Sequence, residues 1–284
     1  LFDVYLELGN ATQAKAYLSK FKDENDFDYL IRASKWSDHE GNLDLAIFLM
    51  KKATKIAEQL KNKDLIQWSY TNLADFLGHA NQIEASYNYY LNALELNPHD
   101  TYAKKGIAWI LYSHENNPKA AIEVLNKVTE DNFTPDYHLL KAEIYEYMNL
   151  ENKKDDAIKS YVSLSNNTLY GSMYSKYNVH VNLDELNNTA KAIEIAKQEI
   201  ENRPTAQSYD LLAWSYFKNG DTAKAYNIVN KHVVNKTSEP EVLYHVAEIY
   251  KANNDMSFVN TVKQELLDSS YELGPLMTQK IKVL

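Results

Sequence analysis

Apolar residues recur three and four positions apart along almost the whole chain, and the pattern returns with a period of about 34 residues. Tyr209, Leu212, Ala213 and Tyr216 are followed by Gly220 and Ala225. Each has a mate one period on, at Leu243, Val246, Ala247 and Tyr250, then Asn254 and Val259. A second series reads Tyr70, Leu73, Ala74, Leu77, Asn81, Ser86, Tyr90, Ala93 and Pro98. It continues one period later in Lys104, Ile107, Ala108, Leu111 and Ala120. Spacings of three and four put apolar side chains on one face of a helix. A small residue at the eighth position of such a unit lets a second helix approach, and another at the twentieth lets that helix pack back. Gly, Asn or Asp between them suits the tight turn. One pair cannot bury its apolar face alone, so it stacks on the next.

The spacing predicts an all-α chain of alternating helices. First helices begin near Phe27, Asp64, Asp100, Pro135, Thr168, Ala206 and Glu239. Second helices begin near Ala11, Asn42, Gln82, Pro118, Lys153, Thr189, Thr222 and Asp255. Pro135 and Pro240 suit helix starts, where a missing N–H is harmless, and Pro98 and Pro204 suit helix exits. About six extra residues between Ala53 and Trp68 predict a longer second helix ending near Lys61. Residues 149–190 are the least regular stretch and predict a kink rather than a domain boundary. Gly274-Pro275 should break the chain, and Leu276, Ile281 and Leu284 should cover Phe258, Val262 and Leu266, because a terminal repeat otherwise exposes its apolar face. Ala213, Ala225 and Ala247 should be buried between helices.

These recurring residues resemble the tetratricopeptide repeat family, in the style of uncharacterised bacterial repeat proteins. Tyr5, Gly9 and Ala14 resemble a truncated first unit. Gly41, Ala46 and Ala53 mark the second; Ala142, Tyr145 and Ala157 the fifth, with about three extra residues in the turn at 149–154; Val179, Leu183, Ala192 and Pro204 the sixth. The resemblance implies one array over residues 1–284, a right-handed helix-pair solenoid of seven to eight repeats with a capping helix at 274–284. Two positions depart from the pattern: His180 stands at a small eighth position and Val259 at a small twentieth. The resemblance also implies a concave groove lined by the second, fifth, ninth and twelfth positions of the first helices. Here these include Trp68, Tyr102, Lys105, Trp109, Tyr112, Glu143, Tyr174, Tyr177, Asp210, Trp214, Phe217, Tyr244, Glu248 and Lys251. Aromatic rings give large contact area at low entropy cost, which suits peptide capture; such rings also serve as framework between helices. Trp109, Trp214 and Tyr244 are expected on one continuous surface, each partly exposed. The family's clamp for C-terminal carboxylates needs Lys at the fifth and Asn at the ninth position. The pairs here, among them Lys105/Trp109, Asp210/Trp214 and Tyr244/Glu248, do not match, so a chaperone-tail adaptor is not expected.

Composition narrows the chemistry. The net charge is −9 and the only arginines are Arg32 and Arg203, a poor endowment for replacing counterions on nucleic acid. No cysteine is present, which excludes disulfides, thiol catalysis and thiolate-bound metals. No apolar run approaches the ~20 residues that span a bilayer. The first residue is Leu, which slightly favours an exported or periplasmic chain with a removed segment. His39-Glu40 and His114-Glu115 lack the second His of a zinc helix, and no phosphate loop or nucleophile elbow occurs. Neither catalytic residue nor metal nor cofactor is expected. The reading is a scaffold for a protein or peptide. A structural or self-assembling subunit, or a non-catalytic subunit of an enzyme complex, is the alternative.

Overall fold

The computed structural model describes residues 1–284, the side chain of Asp131 excepted. Its helices are α1 (Phe2–Glu7), α2 (Ala11–Lys20), α3 (Phe27–His39), α4 (Leu43–Leu60), α5 (Lys63–His79), α6 (Ile83–Leu96), α7 (Thr101–Ser113), α8 (Pro118–Asp131), α9 (Asp136–Tyr147), α10 (Glu151–Ser165), α11 (Ser175–Asp184), α12 (Thr189–Asn202), α13 (Ala206–Lys218), α14 (Thr222–His232), α15 (Pro240–Ala252), α16 (Ser257–Asp268) and α17 (Ser270–Lys282). No strand occurs among the described residues. The chain divides into two compact units, Leu1–Asp3 with Thr12–Leu150, and Val4–Ala11 with Glu151–Leu284.

Each helix pair is closed by one residue in the left-handed region. These are Gly9, Gly41, Asn81, Asn116, Asn149, Asn187, Gly220 and Asn254, with φ between 49° and 85°. Gly and Asn tolerate that conformation best. At Asn81 the turn is a Schellman motif, with Gln82 N–H donating to Leu77 C=O and Asn81 N–H to Gly78 C=O; Gly220 and Asn254 repeat it. The following Asn often caps the second helix. Asn42, Asn117 and Asn188 side chains accept from the N–H of Leu45, Ala120 and Lys191.

The small eighth and twentieth residues then meet. Ala213, Ala225 and Ala247 are fully buried, as the sequence predicts. In two pairs a serine takes one of the places and bonds across: Ser34 Oγ donates to Ala46 C=O and Ser86 Oγ to Ala74 C=O, both at 2.7 Å. The turn after α7 is one residue longer than its neighbours, so Ala121, not Ala120, is the fully buried partner of Ala108.

In the first unit, Leu30, Ile47, Met50, Ala53, Leu73 and Leu77 form a core between α3, α4 and α5. Helix α4 is long, as expected, and ends at Lys61 with φ of 52°. In the second unit the core runs from Val179 to Leu284. One start differs from expectation: α11 begins at Ser175, not near Thr168, because residues 168–170 form a single 3₁₀ turn ended by Gly171. The chain end also differs in detail. Gly274 adopts φ 77°, ψ 169° and kinks α17. Ile281 and Leu284 join the core beside Val262 and Leu266, but Leu273 and Met277 accompany them rather than Leu276. Residues 4–11 belong to this second unit. There a Cβ on Gly9 would lie 2.6 Å from the Pro204 carbonyl oxygen, and Glu7 faces Arg203 at 3.7 Å.

Candidate functional site

The predicted groove residues fall into two groups, one in each unit. In the first unit they lie where first helices adjoin. Trp68 on α5 is 41% exposed and meets Phe27 of α3 edge-on at 6.1 Å. Tyr102 on α7 is 49% exposed, and its hydroxyl donates to Asp75 Oδ2 at 2.7 Å. Tyr90 donates to the other oxygen of Asp75. Burial pushes the Asp75 carboxyl above its usual range, although both tyrosine hydroxyls oppose the shift. Lys105, half-buried, pairs with Asp136 of α9 at 3.0 Å and lies over the Tyr137 ring. Trp109 is half-buried and packs edge-on against the buried Tyr112, which in turn meets Tyr147. A Cβ at Gly106 would enter the Tyr90 ring, so glycine is what allows that ring to lie under α7. The result is a set of rings with two acidic groups, Asp75 and Asp136, and one basic group, Lys105, at hand.

In the second unit the corresponding residues are mostly enclosed. Trp214 is 8% and Tyr244 7% exposed. The partial exposure expected of both is therefore not found, whereas Trp109 has it. The reason is local packing. The Trp214 ring stacks on His245 at 4.1 Å and on Phe217 at 5.1 Å, and meets Tyr244 at 6.3 Å. Lys218 covers another side. Tyr174 is buried between Tyr161, Tyr170 and Tyr177; of these, Tyr177 is exposed. Phe217 and Glu248 are half-buried. Burial, with the Glu248 and Asp184 charges nearby, pushes the Tyr244 phenol up to about 12.

Asp210, predicted to line the groove, is only 2% exposed. Its Oδ2 lies 2.8 Å from His245 Nδ1. His180 and Glu241 stand beside this pair, His180 Nε2 being 3.7 Å from Glu241 Oε1. Lys176 holds the other oxygen, Oε2, at 2.5 Å. Sequence reasoning singled out His180 only as a break in the small-residue pattern. It gave His245 and Glu241 no role in such a cluster, because a repeat sets residues from distant parts of the chain side by side and only the register says which ones.

This helix-pair build defines the class, a tetratricopeptide-like all-α solenoid. Residues 79–144 match the family model described as tetratricopeptide repeat. Among solved structures, the chain is similar to a human IFIT1 dimer with m7Gppp-AAAA, at 14% identity and TM-score 0.53, covering 94% of this chain and 66% of that one. It is also similar to a human IFIT1 dimer with PPP-AAAA, at 17% identity and TM-score 0.50, with the same coverage. A tetratricopeptide repeat protein from Parabacteroides merdae matches at 16% identity and TM-score 0.46, over 90% of this chain and 96% of that one. The chain thus spans 66% of the length of these IFIT1 chains, and at such identities the likeness is one of fold. No curated protein matches the sequence. Among the described residues, no helix is long and apolar enough to cross a membrane.

Proposed function

We propose that the chain is a binding scaffold for a protein segment or peptide, and that the first-helix face of the first unit takes it. One observation carries this reading: Trp68 and Tyr102, on successive first helices, are 41% and 49% exposed, and the Tyr102 hydroxyl bonds to the Asp75 carboxylate. Rigid aromatic surface next to hydrogen-bonding groups is the composition of binding hot spots. The Lys105–Asp136 pair at the same face supplies polar matching. Of the residues first assigned to a groove, Trp68, Tyr102, Lys105 and Trp109 carry the proposal. Tyr177 and Glu248 are accessible members of the second unit. Tyr112, Tyr174, Asp210, Trp214, Phe217 and Tyr244 serve the framework. The acidic balance argues for a protein partner over nucleic acid, the IFIT1 structures with capped and triphosphate RNA notwithstanding.

Selection of peptides from a displayed library, followed by titration, tests the reading. Trp68→Ala should weaken the selected peptide at least about tenfold while lowering the melting temperature much less than truncation of an enclosed tryptophan would, since Trp68 is 41% exposed. Undiminished affinity in Trp68→Ala and Tyr102→Ala together would remove this face from the site. Tight binding of a triphosphorylated RNA oligomer instead of any peptide would replace the partner class.

A further inference from the structure

We propose that His180, Glu241 and His245 form a binding site for one divalent transition-metal ion of the zinc type. The site is separate from the aromatic face of the first unit and is independent of the reading given to it. Helix α15 supplies Glu241 and His245, four residues apart and so on one face; α11 supplies His180. One donor atom from each lies within 4.8 Å of the other two. Zinc bonds of about 2.0–2.1 Å in a tetrahedron keep donors ~3.3 Å apart, so small side-chain rotations close the set. The His180 to Glu241 separation of 3.7 Å is too long for a hydrogen bond and already near that edge.

The surroundings are those of a prepared ligand set. His180 Nε2 is buried and has no hydrogen-bond partner, a state that is destabilising unless something accepts its lone pair. A carboxylate 2.8 Å from His245 Nδ1 favours the tautomer with the proton there, which presents Nε2 to a metal. This is the carboxylate–imidazole–metal arrangement that orients ligating histidines. Stacking on Trp214 holds the His245 ring in place. Lys176 pairs with Glu241 Oε2 at 2.5 Å, which leaves Oε1, the oxygen nearer His180, for the ion. Two imidazoles and one carboxylate suit zinc-like ions better than calcium or magnesium. Three protein ligands also leave a fourth position for water or a small ligand, the arrangement of reactive rather than closed structural sites.

The whole chain, stripped with a chelator, should be titrated with Zn²⁺ by calorimetry and with Co²⁺ by visible absorption. One equivalent should bind, with the absorption bands of four-coordinate cobalt, and zinc should raise the melting temperature. His180→Ala restores the small residue this repeat position ordinarily carries, so the variant should fold, as circular dichroism will verify. It should lose affinity by about 100-fold or more together with the thermal shift. Asp210→Asn should keep the stoichiometry and weaken binding about 10–100-fold. Unchanged metal affinity in folded His180→Ala would assign the binding to surface histidines and overturn the site. So would a wild-type chain that remains metal-free and thermally unshifted at a Zn²⁺ concentration of about 100 µM, where a site with micromolar affinity is nearly saturated.

Discussion

Asparagine is abundant in this chain. The structure gives many of these residues a conformational task. Asn116-Asn117 and Asn187-Asn188 divide it, the first taking positive φ and the second capping the next helix. Small buried alanines were legible because their spacing is fixed by helix geometry. The destination of a tryptophan was not, since a ring on the flank of a first helix faces either the neighbour or the solvent with the same sequence signature. Trp214 shows this. Enclosed by His245, Phe217 and Tyr244, it should lose about 3–5 kcal/mol on truncation to alanine, read by urea unfolding, whereas Trp68→Ala should lose far less. Asp75 gives a pH prediction. Its carboxyl lies above the usual value in the folded state and near ~3.9 when unfolded. The folded chain therefore holds this proton more tightly, and the associated stability is full below the unfolded value and lost as pH rises through the raised one. Asn cannot titrate, so wild type should gain stability relative to Asp75→Asn as pH falls from 7 to 4. The opposite trend in paired urea titrations would mean that the tyrosine hydroxyls outweigh burial.

At the scale of elements, the helix starts were nearly all readable, because caps and turn residues are local signals. Those near Ala11, Phe27, Pro118, Thr189, Ala206 and Thr222 fall within a residue of expectation. The displaced start of α11 has a physical cause. Asn167 caps a 3₁₀ turn through Leu169 N–H and Gly171 ends it with φ of 53° and ψ of −122°, so the helix has to begin afresh at Ser175. The register of the tail has another: Gly274 turns the chain just after Leu273, and Met277 and Ile281 then follow four residues apart on the side facing the core. The pair-closing turns should be sensitive in one specific way. Asn81→Ala should destabilise by about 1–2 kcal/mol, because alanine resists the left-handed region. Asn81→Gly should be close to neutral. Equal losses in both variants, measured by chemical unfolding, would show that the asparagine side chain rather than its backbone holds the turn.

At the scale of the whole molecule, the repeat, the acidic balance and the absence of cysteine were plain from sequence. The membership of residues 4–11 in the second unit was not, since in a solenoid each element is expected to touch its sequence neighbours. Glu7 lies against Arg203, and Gly9 against Pro204. Removing residues 1–10 should therefore quicken hydrogen exchange from Glu199 to Ser208 and leave exchange in α15 little changed. Unaltered protection at Arg203 to Ser208 would show that the segment contributes nothing to that unit. The same feature bears on how the chain is made. At about 5–20 residues per second, the ribosome takes roughly 10–40 s to carry synthesis from Gly9 to Pro204. Throughout that interval the early segment has no mate within its own unit, and Val4 and Leu8, still exposed in the finished fold, stand in water. Helix pairs such as α3–α4 and α5–α6 can close as they emerge, whereas here birth order and docking order diverge. That makes this stretch the natural place for a folding helper to hold the nascent chain.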